Sequence, residues 1–201
     1  MVSMKMINPG IMAKQLAGAG KEAEKAFIYT LSNLAYGGRV RLKADLSKFL
    51  DRPSPATTRG VYYTKARPGS HPHSEVRFSP LAWKWMKYQV IGGQRTGATL
   101  SAPVAAPLNS YGNVVAGQRA SKQLGKPGYF RAKMGGVDGL WGPSKGGGGA
   151  GISLQHVYKP SMSYTPNRLP MQTIVYQEAR RLFPSKYKEN MSRAFKRVVG
   201  I

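Results

Sequence analysis

The chain has 201 residues, no cysteine, and 31 Lys and Arg against eight Asp and Glu, a formal charge of +23. The lack of cysteine excludes a disulfide framework, a thiolate nucleophile and a cysteine-based metal site, and no run approaches the ~18 apolar residues that span a bilayer. The charge directs the chain towards polyanions, either nucleic acid or acidic protein.

Residues 1–20 read as a flexible N-terminal arm, broken by Pro9-Gly10 and Gly18-Ala19-Gly20. They hold no apolar run long enough for a signal peptide, so synthesis in the cytoplasm of a cell and no contact with membrane are expected. From Lys21 to Leu50 a helical period appears, with Phe27, Leu31, Leu34, Leu42, Leu46 and Phe49 forming one stripe. Glu22 and Glu24 suit the first turn of that helix. The Gly37-Gly38 pair predicts a kink or a break, and Pro53 ends the element. Gly60–Arg67 and Ser74–Ser79 read as two strands of a hairpin around a Pro68–His73 turn. Leu81 to Ile91 resumes a helical period through Leu81, Trp85, Tyr88 and Ile91, stopped by Gly92-Gly93.

Residues 94–151 change character. Fourteen glycines fall between Gly97 and Gly151, and prolines 103, 107, 127 and 143 punctuate the same stretch. Only Tyr129–Arg131 and Val137–Trp141 read as short strands, so an extended Gly/Pro-rich excursion is expected, ordered against neighbours through its aromatics. Ile152–Lys159 reads as a strand with Ile152, Leu154, His156 and Tyr158 on one face. A helix is expected to begin at Pro170 and break at Pro184, and a second to follow through Tyr187, Met191, Ala194, Phe195 and Val198. The predicted fold is α+β: one domain over 21–201, an antiparallel sheet packed by a long N-terminal helix and C-terminal helices, with a long Gly-rich loop insertion at 94–151.

Candidates for chemistry are sparse. The carboxylates are scattered, which offers no acid–base pair. His71-Pro72-His73-Ser74-Glu75 has the spacing of metal ligands on a strand but sits in a turn and lacks a further ligand. Lys145 precedes its glycine run, the reverse of a phosphate loop. No catalytic residue, metal or cofactor is expected. Trp83 and Trp85 flank Lys84 on different helical faces, which assigns one to the core and the other to an interface. Basic residues gather in two sets, one along and after the first helix and one on the C-terminal helices. Arg39, Arg41, Lys43, Arg180, Arg181, Arg193, Lys196 and Arg197 are the candidates for contact with DNA or with a neighbouring subunit. Trp83, Tyr129, Phe130 and Trp141 are the candidate interface anchors.

The helix ending in Asp51-Arg52-Pro53-Ser54-Pro55-Ala56-Thr57 resembles the N-terminal part of the minor tail or tail-completion proteins of tailed bacteriophages. The likeness runs on through Val61-Tyr62-Tyr63-Thr64-Lys65-Ala66, Glu75-Val76-Arg77-Phe78 and Tyr88-Gln89-Val90-Ile91-Gly92-Gly93-Gln94-Arg95. It returns at Tyr164-Thr165-Pro166-Asn167-Arg168-Leu169-Pro170. The resemblance covers the two ends and leaves the glycine-rich middle without a counterpart. It implies a non-enzymatic virion protein in a homo-oligomeric ring of six- or twelve-fold symmetry at the head–tail neck. Such a ring joins portal or adaptor to tail proteins and leaves a channel for DNA; some of the basic residues would line its lumen or meet neighbouring subunits. The alternative is a free basic nucleic-acid-binding protein of ribosomal or nucleoid type. A small cell-wall hydrolase, which would call on Glu75 or Asp138, is the third reading.

Overall fold

The computed structural model describes residues 9–69, 71–144, 151–166 and 168–199. It is α+β with antiparallel sheets, and the long N-terminal helix α1 (Pro9–Phe49) packs on the C-terminal helix α5 (Met171–Val199). The contacts group into two compact units. One gathers α1 as far as Leu46, Ala56–Trp83 and the chain from Pro170 onward. The other gathers Ser47–Pro55 and Lys84–Leu169.

In the first unit the two long helices meet along a line that repeats every fourth residue. On α1 it runs through Glu22, Ala26, Thr30, Leu34, Gly38, Leu42 and Leu46, all buried or half-buried. On α5 it runs through Ile174, Glu178, Leu182, Lys186, Asn190, Ala194 and Val198. Each step of four advances about 40° round the axis, so the line winds over the helix surface instead of forming one straight stripe. The partners run antiparallel: Arg197 reaches Glu22, Asn190 bonds Thr30, Leu182 lies against Gly37 and Val175 against Gly38.

This line corrects three expectations. The glycine pair neither kinks nor breaks α1, because the two glycines make room for α5. A methyl added at Gly37 would overlap Leu182 Cδ1, and one at Gly38 would stand 3.0 Å from Val175 Cγ1. Pro184 lies inside a continuous α5, and Ser185 Oγ donates to the Leu182 carbonyl at 3.0 Å beside it. Packing on both sides of the proline outweighs the local propensity to break. Phe27 and Phe195, expected in the stripes, are exposed, while Ala26, Thr30 and Asn190 are buried. Helix α1 also starts at Pro9, within the stretch read as an arm, so Glu22 and Glu24 lie well past its first turn. Residues 1–8 lie outside the described residues.

The short helix α2 (Pro55–Arg59) leads into β1 (Val61–Thr64), which pairs antiparallel with β2 (Glu75–Phe78) as a hairpin. Val61 and Phe78 face each other and are buried. The hairpin is tied to α1 by Arg39 Nε donating to the Val61 carbonyl at 3.2 Å and by the Ala66 amide donating to Ser32 Oγ at 3.0 Å. Helix α3 (Pro80–Val90) follows. Its helical period is as predicted, but the phase is not: Ala82 and Met86 are buried, and Leu81, Trp85 and Ile91 are exposed. Ala82 takes the inward position because Gly60 faces it; a Cβ at Gly60 would lie 2.6 Å from Ala82 Cβ.

In the second unit the stretch 94–151 holds more regular structure than expected: strands stand at both stretches read as short strands, and a further strand and two short helical turns were not read there. Strands β3 (Gly93–Pro103), β4 (Phe130–Met134), β5 (Val137–Pro143) and β6 (Ile152–Tyr164) form one antiparallel sheet in the order β3-β6-β5-β4. Its glycines serve the sheet. Gly135 and Gly136, at φ +56° and +80°, make the two-residue turn between β4 and β5 that non-glycine residues adopt poorly. At Gly139 and Gly142 the missing side chains admit Leu154 and Tyr129. Leu140 pairs with His156 but Trp141 with Leu154, so Gln155 is an unpaired bulge. The bulge places Leu154 and His156 on opposite faces, against the expected alternation, and leaves Gln155 and His156 both buried. A 3-10 turn (Ala116–Gln118) and helix α4 (Ala120–Gln123) lie against His156, whose Nε2 donates to the Gln118 carbonyl at 2.9 Å. The Lys145-glycine run lies outside the described residues.

Candidate functional site

Most of the basic residues singled out on the helices are already engaged within the chain. Arg39 holds β1, and Arg41 pairs with Asp45 at 2.7 Å. Arg181 grips both oxygens of Glu178, at 3.0 and 2.6 Å. Glu189 accepts from Lys186 at 2.8 Å and from Arg193 at 2.5 Å. Arg197 approaches Glu22 at 3.6 Å, and Lys25 does so at 2.6 Å. These cations hold the Glu22, Glu178 and Glu189 carboxyls below the usual carboxylate range, in each case chiefly through a side-chain hydrogen bond: Lys25 on Glu22, Arg181 on Glu178 and Lys186 on Glu189. Burial, with Arg39 next to it, pushes the Lys43 amine down. Arg180 and Lys196 are exposed. Arg41 and Arg181 both act on Glu178, and Arg193 and Arg197 lie against Glu189 and Glu22 further along the seam.

The candidate anchors divide as well. Trp141 Nε1 donates to the Ala132 carbonyl at 3.0 Å, and Tyr129 fills the space above Gly142, so both stabilise the sheet. Phe130 is exposed on the edge strand β4. Trp83 and Trp85, assigned one to the core and one to an interface, are equally open at 37% and 38% exposure. Leu81 and Ile91 beside them stand at 64% and 63%.

A site that sequence reasoning passed over lies in the hairpin. The loop between β1 and β2 encloses a cavity of about 670 Å³ lined by Lys65, Arg67, His71, His73, Glu75 and Arg77. Arg77 stacks on the Tyr62 ring, 4.9 Å from its centroid, and lies 3.8 Å from Glu75. His73 Nδ1 faces the His71 carbonyl at 3.2 Å, and because a carbonyl can only accept, that nitrogen carries the proton. Ser74 Oγ donates to the Thr64 carbonyl, and the Glu75 amide donates to Thr64 Oγ1 at 3.2 Å, closing the mouth of the loop. Among the described residues, no three His, Asp or Glu side chains converge as metal ligands, so His71, His73 and Glu75 do not make that constellation. The signal in the sequence was the Lys65-x-Arg67 step before Pro68-Gly69, read there only as the end of a strand.

Glu22, Asp45, Asp51, Glu75, Asp138, Glu178 and Glu189, seven of the eight acids, each pair with a cation of the chain itself. The excess of 23 positive charges has no internal counter-charge left to meet it. Comparison with protein-family models, with curated proteins and with solved structures finds no match for the chain. Among the described residues no helix is long and apolar enough to cross a membrane.

Proposed function

We propose that this chain is a non-enzymatic structural subunit of a tailed-phage particle. It assembles with copies of itself into a ring at the head–tail junction, six- or twelve-fold, joins portal or adaptor to the tail, and leaves a channel for DNA. The observation that carries the assembly is α3. It buries only Ala82 and Met86, while Leu81, Trp83 and Trp85 on it and Ile91 just after it remain open to solvent. Leu81 and Trp85 stand one turn apart on one face of α3, and large apolar side chains left open in this way mark a surface that another protein covers. The uncompensated positive charge adds that the surroundings of the subunit are anionic.

The placement at the head–tail neck rests on the resemblance of the two chain ends to tail-completion proteins. Two of the segments that carry it, Tyr88–Arg95 and Tyr164–Leu169, meet in the second unit. Gly93 pairs with Tyr164, Tyr88 stacks on Tyr164 with centroids 5.3 Å apart, and the Leu169 amide donates to the Gln89 carbonyl at 2.8 Å. Gly92, at φ +75°, lies where a Cβ would meet the Pro166 backbone at 2.7 Å. The Gly-Gly step and the Tyr-Thr-Pro step are thus two halves of one junction.

Native mass spectrometry of the purified chain, alone and with candidate portal and tail proteins across a salt series, tests the proposal. Discrete rings or stable complexes with those proteins are the expected result. A monomer that ignores them and binds DNA with a steep salt slope would replace this reading with that of a free nucleic-acid-binding protein.

A further inference from the structure

We infer that the cavity of the β1–β2 hairpin loop is a binding site for the phosphate backbone of duplex DNA. The choice of DNA as ligand rests on the reading of the chain as a ring around a DNA channel; the place rests on the geometry of the loop alone.

Three cations, Lys65, Arg67 and Arg77, face one carboxylate, Glu75, across the cavity, which leaves a net charge of +2 with both histidines neutral. That carboxylate is committed, lying 3.8 Å from Arg77 and 3.9 Å from His73. Lys65 and Arg67 have no carboxylate partner among the described residues. The helical cations differ in this respect, since Arg41, Arg181, Arg193 and Arg197 already lie against acids of the chain. Neutralising a phosphate with an unpaired cation breaks no internal ion pair, so the hairpin is the better place for the anion.

The loop is also preorganised. Its base is pinned to α1 through the Ala66 amide and Ser32, its mouth is closed by Ser74 and Glu75 on Thr64, and Arg77 is held over Tyr62. Arg77 is thus already positioned and loses little conformational entropy when the ligand arrives, whereas the exposed Lys65 and Arg67 order on binding. The polar groups lining the cavity are mainly donors, which suits phosphate oxygens and offers no pattern that distinguishes bases. The binding is therefore independent of sequence.

The test is the salt dependence of affinity between the full-length chain and a short duplex of mixed sequence. Lys65→Gln/Arg67→Gln alters two exposed loop residues outside every packed contact described above. Each lost phosphate contact lowers the slope of log K against log salt by about 0.9, so the double variant is expected to lose about 2. A control pair in the second unit, Lys122→Gln/Lys126→Gln, is expected to lose less than about half of that. Amides of 65–77 are expected to gain hydrogen-exchange protection when the duplex is added.

Equal slope losses for the two pairs, or no protection of the loop, would overturn the assignment. Binding of poly-glutamate with the same dependence on Lys65 and Arg67 would reassign the cavity to an acidic protein. Ring formation is read separately by mass. Loss of the rings with the slope difference intact rejects the neck reading and keeps the hairpin site, and the opposite pair of results does the reverse.

Discussion

Asn190 Nδ2 donates to Thr30 Oγ1 at 3.0 Å in the buried seam between α1 and α5, and Thr30 Oγ1 in turn donates to the Ala26 carbonyl at 2.8 Å. Both side chains are buried, so the bond replaces water that neither residue can reach. It fixes the register of the two helices, because sliding either by one step of four would bring an apolar or small side chain opposite the amide.

Removing one partner is therefore expected to cost more than removing both. Thr30→Val leaves the Asn190 amide buried without its acceptor, and Asn190→Leu removes the amide. Each single change should cost about 1–3 kcal/mol, and the double variant less than their sum. Urea unfolding midpoints of the four proteins measure the coupling. Strict additivity would show that the bond contributes nothing to the seam.

Glycines on α1 should respond in opposite directions according to what faces them. At Gly20, within the helix, a Cβ meets nothing within 4 Å, so Gly20→Ala gains helix propensity and should stabilise by about 0.5–1 kcal/mol. At Gly38 the neighbours are Val175 Cγ1 at 3.0 Å, Val76 Cγ2 at 3.5 Å and the Val175 backbone. Gly38→Leu should destabilise by about 1–3 kcal/mol through overpacking, enough to lower the thermal midpoint by several degrees. If both changes shift the midpoint the same way, close approach at Gly38 is not what sets its identity.

These same residues show which parts of the fold the sequence discloses. The hairpin, α3 and the class of the fold were legible, because alternating strand formers around a Pro-Gly turn and a short helical period are local signals. The helix seam was less so. Leu34, Leu42, Leu46, Ala194 and Val198 stood in the predicted stripes, but the period of the seam is four, residues such as Ala26, Thr30 and Asn190 in it are small or polar, and Gly37-Gly38 has the local signature of a break although its cause lies on α5, well over a hundred residues away. The sheet was legible in part: β4, β5 and β6 fall on stretches read as strands, whereas β3, with Gly93 and Gly97 in it and Pro103 at its end, carries the composition of a loop. Charge was legible as a total but not as a distribution. Arg193 and Lys65 look alike in sequence, yet only the fold places Glu189 beside the first. That difference moves the candidate anion site from the helices to the hairpin.

The packing of α4 on the second sheet is expected to depend on one imidazole. His156 is 1% exposed, its Nε2 holds the Gln118 carbonyl, and its Nδ1 has no partner among the described residues. His156→Phe keeps the ring volume and deletes the bond, which should cost about 1–2 kcal/mol and leave a buried carbonyl unpaired. Hydrogen exchange should quicken first at 116–124. Exchange that rises evenly through β5 and β6 instead would place the role of His156 in the sheet.

Acid should weaken the seam between the helices, and Glu178 provides a way to observe it. Its carboxyl is held below the usual range first by the hydrogen bond from Arg181, then by the charges of Arg181 and Arg41, while burial and the charge of Asp45 pull the other way. A carboxyl whose folded-state value lies below its unfolded one binds more protons when unfolded. Its contribution is then fully present above the unfolded value, about 4.3 for Glu, and is lost as pH falls through the folded value. Glu178→Gln removes that proton linkage. The variant should be less stable than the parent at neutral pH, and the gap should narrow steadily once the pH drops below about 4. Lower pH also raises the overall positive charge, but both proteins share that repulsion, so the difference between their urea midpoints isolates Glu178. A gap that stays constant from pH 7 to about 3 would mean that the Arg181 pair is too well solvated to affect stability.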